Sequence, residues 1–143
     1  MKNFKININF YNYKLIFCMF LLSLSLLSCS KKIPFSNSNS VPAARGNVTV
    51  KKDKNNNYLI NLNLKYLAEP NRLSPPRNTY VVWMTTDESN FPINLGQILG
   101  TSKLKIKFET VSSFKPIRIF ITAEDNASVQ SPMNMVVLET NNF

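Results

Sequence analysis

The chain has 143 residues, with 17 basic against 8 acidic side chains for a formal charge of +9, two cysteines and no histidine. The length suits one domain behind a leader. Because histidine is missing and both cysteines lie near the N-terminus, the usual Ser-His-Asp and Cys-His catalytic arrangements are excluded from the folded part. The usual zinc, haem and copper ligand sets are excluded for the same reason, and we expect no metal and no cofactor.

The first residues have the composition of a bacterial secretory leader. Residues 1–14 carry three lysines and no acid, and residues 15–27 form an apolar run of about 13 residues, which is the length of a signal-peptide core. A membrane-spanning helix needs about 20 apolar residues. Removal of the leader takes away three of the 17 basic residues, so the mature chain keeps 14 against 8 acidic ones. Such a moderately basic chain favours anionic surfaces.

The segment Leu26-Leu27-Ser28-Cys29 resembles the bacterial lipobox. The resemblance implies signal-peptidase cleavage between Ser28 and Cys29, with diacylglycerol and palmitate-like acyl chains carried by Cys29. Two acyl chains and an N-acyl group, at about 0.8 kcal/mol for each buried methylene, anchor a protein stably to a membrane. The alternative is an ordinary secretory signal with an accidental cysteine at this position.

The residues after Cys29 predict the membrane to which the protein is sorted, and they predict a linker. Ser30 takes the second mature position, and by resemblance to gram-negative sorting rules it favours the outer membrane over the inner one. Lys31 and Lys32 follow where some surface-exported lipoproteins carry acids, so the periplasmic face is favoured. The Ser, Asn and Pro content of residues 30–45 predicts a flexible tether of about 22 Å. We therefore expect a signal peptide over 1–28, a lipidated cysteine and tether over 29–45, and a domain over 46–143.

From residue 47 onward, apolar and polar residues alternate with the period of β-strands. An Asn-rich run at residues 54–57 predicts a hairpin turn, and the proline-rich residues 68–78 predict a loop. No window has helical periodicity, which favours a seven-stranded antiparallel immunoglobulin-like sandwich, with a small β-barrel as the alternative. The predicted strands lie near residues 48–50, 60–66, 79–86, 93–99, 103–109, 117–123 and 135–139.

The fifth predicted strand has the most regular alternation. We expect its apolar residues, Leu104, Ile106 and Phe108, to face the core, so that Lys103, Lys105 and Lys107 project together from the other side. This lysine stripe is a candidate contact with anionic lipid or glycan. The alternative is a solvated strand whose lysines protect a sheet edge. Because export separates the chain from nucleic acid, we expect no nucleic-acid partner.

Several motifs resemble the C-terminal extracytoplasmic domain of anti-sigma-K factors. They are a Tyr-x-x-Trp pair at Tyr80 and Trp83, a Leu-Gly turn at Gly96, an Ile-Thr-Ala-Glu strand ending at Glu124, and a loop with Pro132. The chain is similar also to small uncharacterised lipoproteins of gram-negative bacteria. The resemblance implies a β-sandwich in which Tyr80, Trp83 and Gly96 are fold-signature residues, with Gly96 at a bulge or close backbone approach. It implies no activity, because the sigma-binding segment and the transmembrane helix are missing.

Paired carboxylates are the remaining candidates for chemistry. Asp87-Glu88 and Glu124-Asp125 are adjacent pairs that could bind calcium or transfer protons, although both fall in predicted turns, where acids are commonly solvated. The favoured function is a monomeric, lipid-anchored, non-enzymatic envelope domain that binds a protein partner or an envelope polymer such as an anionic glycolipid. The alternatives are an accessory sensor in an extracytoplasmic stress circuit and a hydrolase that uses carboxylates alone.

Overall fold

A computed structural model describes Phe17, residues 31–99, Thr101 and residues 103–143. Ser28 and Cys29, the predicted cleavage and lipid-attachment residues, lie outside the described residues. Among the residues that are described, no helix has the length and hydropathy needed to cross a membrane. Lys31–Phe143 forms one compact unit, and this unit contains every described strand and all of the core described below.

Eight described strands form two antiparallel four-stranded sheets, which confirms the all-β prediction. The first sheet has the order β1-β2-β3-β6 and the second has the order β5-β4-β7-β8. In the described part of the chain the two sheets stay separate, so the alternative of a single closed small barrel is wrong. The strands are β1 (Lys32–Pro34), β2 (Arg45–Lys52), β3 (Tyr58–Lys65), β4 (Thr79–Thr85), β5 (Ile93–Ile98), β6 (Lys105–Ser112), β7 (Arg118–Glu124) and β8 (Val136–Glu139).

The core lies between the sheets because alternate residues of each strand point inward. From the first sheet, Ile60, Leu62 and Leu64 of β3 are buried, and from the second sheet Tyr80 and Val82 of β4 pack against them. A one-residue slip in register would turn these side chains to solvent, so the burial of one face fixes the pairing. The turn between β2 and β3 has Asn56 at φ 65°, which confirms the Asn-supplied turn.

β4 and β7 are buried on both faces, which explains their unbroken apolar runs. On the outer face of the second sheet, Val81, Trp83 and Phe120 form a small second cluster, and Val129 of the loop at residues 125–134 packs on it. Asn94 of β5 fastens this loop, since its side-chain amide donates hydrogen bonds to the carbonyl oxygens of Ala127 (3.0 Å) and Val129 (2.9 Å). The loop therefore acts as a lid over the cluster.

The predicted flexible tether is wrong for residues 31–45, which belong to the sandwich. β1 pairs with β2, Phe35 forms a β-bridge with Thr140, and the backbone N–H of Ser36 donates to the carbonyl of Glu139 (2.7 Å). Val41 and Ala44 are buried in the main core. These apolar side chains offset the ordering entropy of a Ser- and Asn-rich segment. The folded unit thus begins near Lys31 and not at residue 46.

Candidate functional site

The outer face of the first sheet concentrates positive charge. Residues that pair directly across antiparallel strands point to the same side, and the register places Arg45 of β2 opposite Lys65 of β3, which lies opposite Lys105 of β6. We call these three residues the basic row. The outward residues of the four strands, here called the basic face, include six cations and one acid: Lys32, Arg45, Lys51, Lys65, Lys105, Lys107 and Glu109.

The basic row carries exposed charges that other side chains do not neutralise. All three cations are exposed, and the three ion pairs formed among the described residues lie elsewhere. Arg45 donates hydrogen bonds to the carbonyl oxygens of Pro42 and Ala44, which leaves its charge in place. Like charges directly opposite each other on a sheet are destabilising. The row therefore costs some stability. β6 is the edge strand of the first sheet, so its lysines match the alternative role of protecting a sheet edge, whereas Arg45 and Lys65 lie on the inner strands β2 and β3.

The lysine stripe expected from the sequence is only partly assembled. Lys105 and Lys107 do project from the outer face of β6, but β6 begins at Lys105, and Lys103 lies in the bend that precedes it. Leu104 does not face the core, since its side chain is 70% exposed. Its carbonyl accepts the backbone N–H of Tyr66 (3.0 Å) where the β3–β6 ladder ends. Beyond the ladder, strand alternation no longer sets the direction of a side chain.

Arg45 and Lys65 were missed by reasoning along single strands. Each is the terminal residue of its own strand, so neither belongs to a visible charge run in the sequence. The signal that joins them is the register of β2, β3 and β6, because only the pairing brings residues 20 and 40 positions apart into one row. Lys51, by contrast, is followed by Lys52 in the sequence and so belongs to a visible charged pair.

The fold-signature residues have structural surroundings. Tyr80 lies in the core between the sheets, where burial raises the pKa of its phenol to about 12 and its hydroxyl has no hydrogen-bond partner among the described residues. Trp83 lies on the opposite face of β4, and its Nε1 donates to the hydroxyl of Thr122 (2.8 Å). Gly96 is at a β-bulge, with φ +122° and its N–H donated to Asn94 Oδ1 (2.9 Å).

The two candidate acid pairs lie apart in the fold: Asp87 and Glu88 are exposed in the connection between β4 and β5, whereas Glu124 and Asp125 stand at the end of β7. Glu124 is fully buried and accepts hydrogen bonds from the backbone N–H groups of Met133 (3.2 Å) and Asn134 (3.4 Å) and from the Asn134 side chain (2.6 Å). Its neighbour Asp125 pairs with Arg77 (3.2 Å). Across the described residues, no group of three Cys, Asp or Glu side chains could hold a metal ion. Glu124 thus holds the loop at residues 125–134 in place through these three hydrogen bonds.

Two of the open clefts among the described residues lie at opposite ends of the sandwich, one polar and one apolar. The polar cleft, of about 340 Å³, is lined by Glu69 and Arg77 among others, but Glu69 pairs with Arg72 and Arg77 pairs with Asp125. Its charges are therefore already matched. The apolar cleft, of about 230 Å³, lies at the opposite end of the sandwich and has lysines among its lining residues.

Comparisons of the chain with protein-family models, with curated proteins and with solved structures gave no match.

Proposed function

We propose that this protein is a lipid-anchored, non-enzymatic domain of the bacterial cell envelope, and that its basic face binds an anionic envelope polymer. The observation that carries the proposal is the basic row, in which three exposed cationic residues, with Cα atoms about 5 Å apart on adjacent strands, have no acid among them. Such spacing offers several contacts to the repeated phosphate or carboxylate groups of a glycolipid. Adjacent cations raise the local concentration of an anionic partner.

The proposed anchor is a lipid on Cys29, after removal of residues 1–28, and the proposed address is the periplasmic face of the outer membrane. The folded unit begins at Lys31, two residues after Cys29, so the chain between them spans at most about 7 Å. An anchor on Cys29 would therefore hold the domain directly at the bilayer. Metabolic labelling with a palmitate analogue tests this: Cys29→Ser should give an unlabelled, uncleaved precursor, and label that survives the substitution would overturn the anchor.

The immunoglobulin-like type of the sandwich is also part of the proposal. Its support is the crossing of the chain between sheets. β3 pairs with β6 although β4 and β5, which lie between them in the chain, belong to the second sheet, and β4 pairs with β7 although the chain passes through β6 of the first sheet between them. Greek-key crossings of this kind are frequent in immunoglobulin-like sandwiches. β1 adds an eighth described strand to the seven expected.

Polymer binding is tested with the fragment of residues 31–143 and deacylated lipopolysaccharide, a probe that keeps the anionic glycan and removes the membrane-forming chains. We expect calorimetric binding at low salt that weakens as salt rises, since the attraction is electrostatic. Reversal of the basic row, Arg45→Glu with Lys65→Glu and Lys105→Glu, should weaken binding at least about tenfold, given up to about 1 kcal/mol for each basic residue near an anionic surface.

The matched control makes the same change in net charge outside the basic face. It combines Lys54→Glu in the first hairpin turn, Arg72→Glu in the short 3₁₀ turn Pro70–Arg72, and Lys115→Glu after β6. Equal losses in the two triple variants would attribute binding to net charge alone and would overturn the proposed site. Both variants should retain the thermal transition of the parent domain.

The non-enzymatic part of the proposal is supported by the surroundings of Glu124, which is buried and accepts hydrogen bonds from the loop at residues 125–134. A reproducible hydrolytic activity that is lost in Glu88→Gln or Glu124→Gln, with the fold intact, would contradict it.

A further inference from the structure

The two ends of the sandwich differ in what they expose. The proximal end is the one at which β1 begins, β6 ends and β7 begins, and it is the end next to Lys31. We infer that the proximal end docks on an anionic phospholipid bilayer, with Phe114 inserted at headgroup level and Lys31 and Lys115 on lipid phosphates. This goes beyond polymer binding by the basic face and does not depend on it.

Phe114 is held outward in the connection between β6 and β7. Its side chain is 43% exposed, while the backbone around it is fixed: the Phe114 N–H donates to the hydroxyl of Ser112 (3.0 Å), and that hydroxyl donates to the Phe114 carbonyl (3.1 Å). Pro116, two residues further on, is buried. An exposed aromatic ring on a fixed turn is suited to insertion at the boundary between headgroups and acyl chains, where the Trp, Phe and Leu side chains of peripheral proteins are buried.

Charge around Phe114 complements anionic lipid. Lys115 follows it directly, and residues 113–117 contain no acid. Lys31 and Lys115 both line the apolar cleft of about 230 Å³, whose other lining residues include Ile33 and Phe143. Cations beside an apolar surface match a phospholipid, in which phosphates stand above the glycerol and the acyl chains. Each basic residue close to an anionic leaflet adds to the attraction.

A second exposed ring at the same end is in a different electrostatic setting. Phe91 lies in the connection between β4 and β5 and is 78% exposed, but Asp87 and Glu88 belong to the same connection. Anionic lipid repels these two acids. We therefore place Phe114, and not Phe91, at the centre of the docking surface.

The distal end, where β3 ends and β6 begins, supplies a matched control. Leu104 is also apolar and exposed there, and Lys103 and Lys105 flank it. β6 separates Leu104 from Phe114, and its eight residues extend over roughly 25 Å. A sandwich docked through its proximal end cannot place Leu104 in the bilayer. We therefore expect membrane insertion at position 114 and none at position 104.

Insertion is measured with tryptophan probes in the fragment of residues 31–143, which contains the whole described core. Phe114→Trp and Leu104→Trp are compared on vesicles of phosphatidylglycerol and on vesicles of phosphatidylcholine. Trp83 is buried and provides a constant background. We expect a blue shift and quenching by brominated lipid for Phe114→Trp on phosphatidylglycerol only. Quenching at Leu104→Trp, or at neither probe, would overturn the inference.

Affinity is measured by co-sedimentation with the same vesicles. Phe114→Ser with Lys115→Glu should weaken binding at least about tenfold, because it removes one interfacial ring and reverses one charge. The control pair, Leu104→Ser with Lys103→Glu, should change it less than about threefold, the remaining electrostatic effect of one exposed lysine. If reversal of the basic row weakens vesicle binding and the substitutions at Phe114 and Lys115 do not, the basic face and not the proximal end docks on the bilayer. That result would refute the inference. Polymer binding by the basic face is decided separately, by calorimetry with deacylated lipopolysaccharide.

Discussion

Removal of the Glu124 carboxylate should release the loop at residues 125–134. Three donors from Met133 and Asn134 converge on this fully buried group, and they come from two backbone N–H groups and one side-chain amide. In Glu124→Ala the donors lose their acceptor in a place that water does not reach. The loop would then leave Trp83 and its cluster, which it covers through Val129.

The magnitude follows from the hydrogen bonds and the burial of charge. A hydrogen bond to a charged group contributes about 1.5–3 kcal/mol, and three of them would give several kcal/mol. Removing the carboxylate also removes the cost of burying its charge, which offsets part of the loss. We therefore expect Glu124→Ala to lower the free energy of unfolding by about 2–4 kcal/mol. For a domain near 110 residues this corresponds to a fall in Tm of roughly 10–20 °C.

Thermal and urea unfolding followed by circular dichroism measure the change, and limited proteolysis locates it. Glu88→Ala, which removes an exposed acid from the connection between β4 and β5, should alter stability by less than about 0.5 kcal/mol. Glu124→Ala should also be cut first within the loop at residues 125–134. If Glu124→Ala lowers the free energy of unfolding no more than Glu88→Ala does, and the loop stays protected from proteolysis, then Glu124 does not hold the loop in place.

Three other substitutions test separate features. Tyr80→Phe should be neutral or stabilising, because the phenol has no hydrogen-bond partner in the described part of the chain; it should also remove a loss of stability between about pH 10 and 12, where the unfolded phenol ionises before the folded one. Gly46→Ala should cost about 1–3 kcal/mol in urea unfolding, since its Cβ would lie 2.8 Å from the carbonyl oxygen of Asn63. Lys65→Glu should raise the free energy of unfolding by about 1 kcal/mol at low salt and less at high salt, because it lies opposite a cation on each side.

The strands from β2 to β8 were predictable in kind from the local sequence pattern, including β4 and β7, which are buried on both faces. Alternation places Ile60, Leu62 and Leu64 correctly, and the same rule puts Tyr80 and Trp83 on opposite faces of β4. The turn at Asn56 follows from the tolerance of Asn for positive φ. These are local properties, determined by residues within a few positions of each other.

The N-terminal segment was not predictable in this way. β1 has three residues, too few to show a period, and its composition resembles that of a linker. Its order comes from partners far along the chain, since Phe35 bridges Thr140 and Val41 joins the main core. Composition describes an average over the segment, whereas a few buried apolar side chains decide whether the segment folds.

The position of the basic row links the two proposals. β2 carries Arg45 at the distal end of the sheet and Lys51 near the proximal end, and six residues of strand separate them by about 20 Å. If the proximal end rests on the bilayer, the row stands more than two Debye lengths from the lipid phosphates at physiological salt, where that length is about 8 Å. Attraction between the row and the bilayer would then be screened. An anionic polymer bound at the basic face, as we propose, would relieve the cross-strand repulsion at the row, and the row would then face this polymer and not the bilayer.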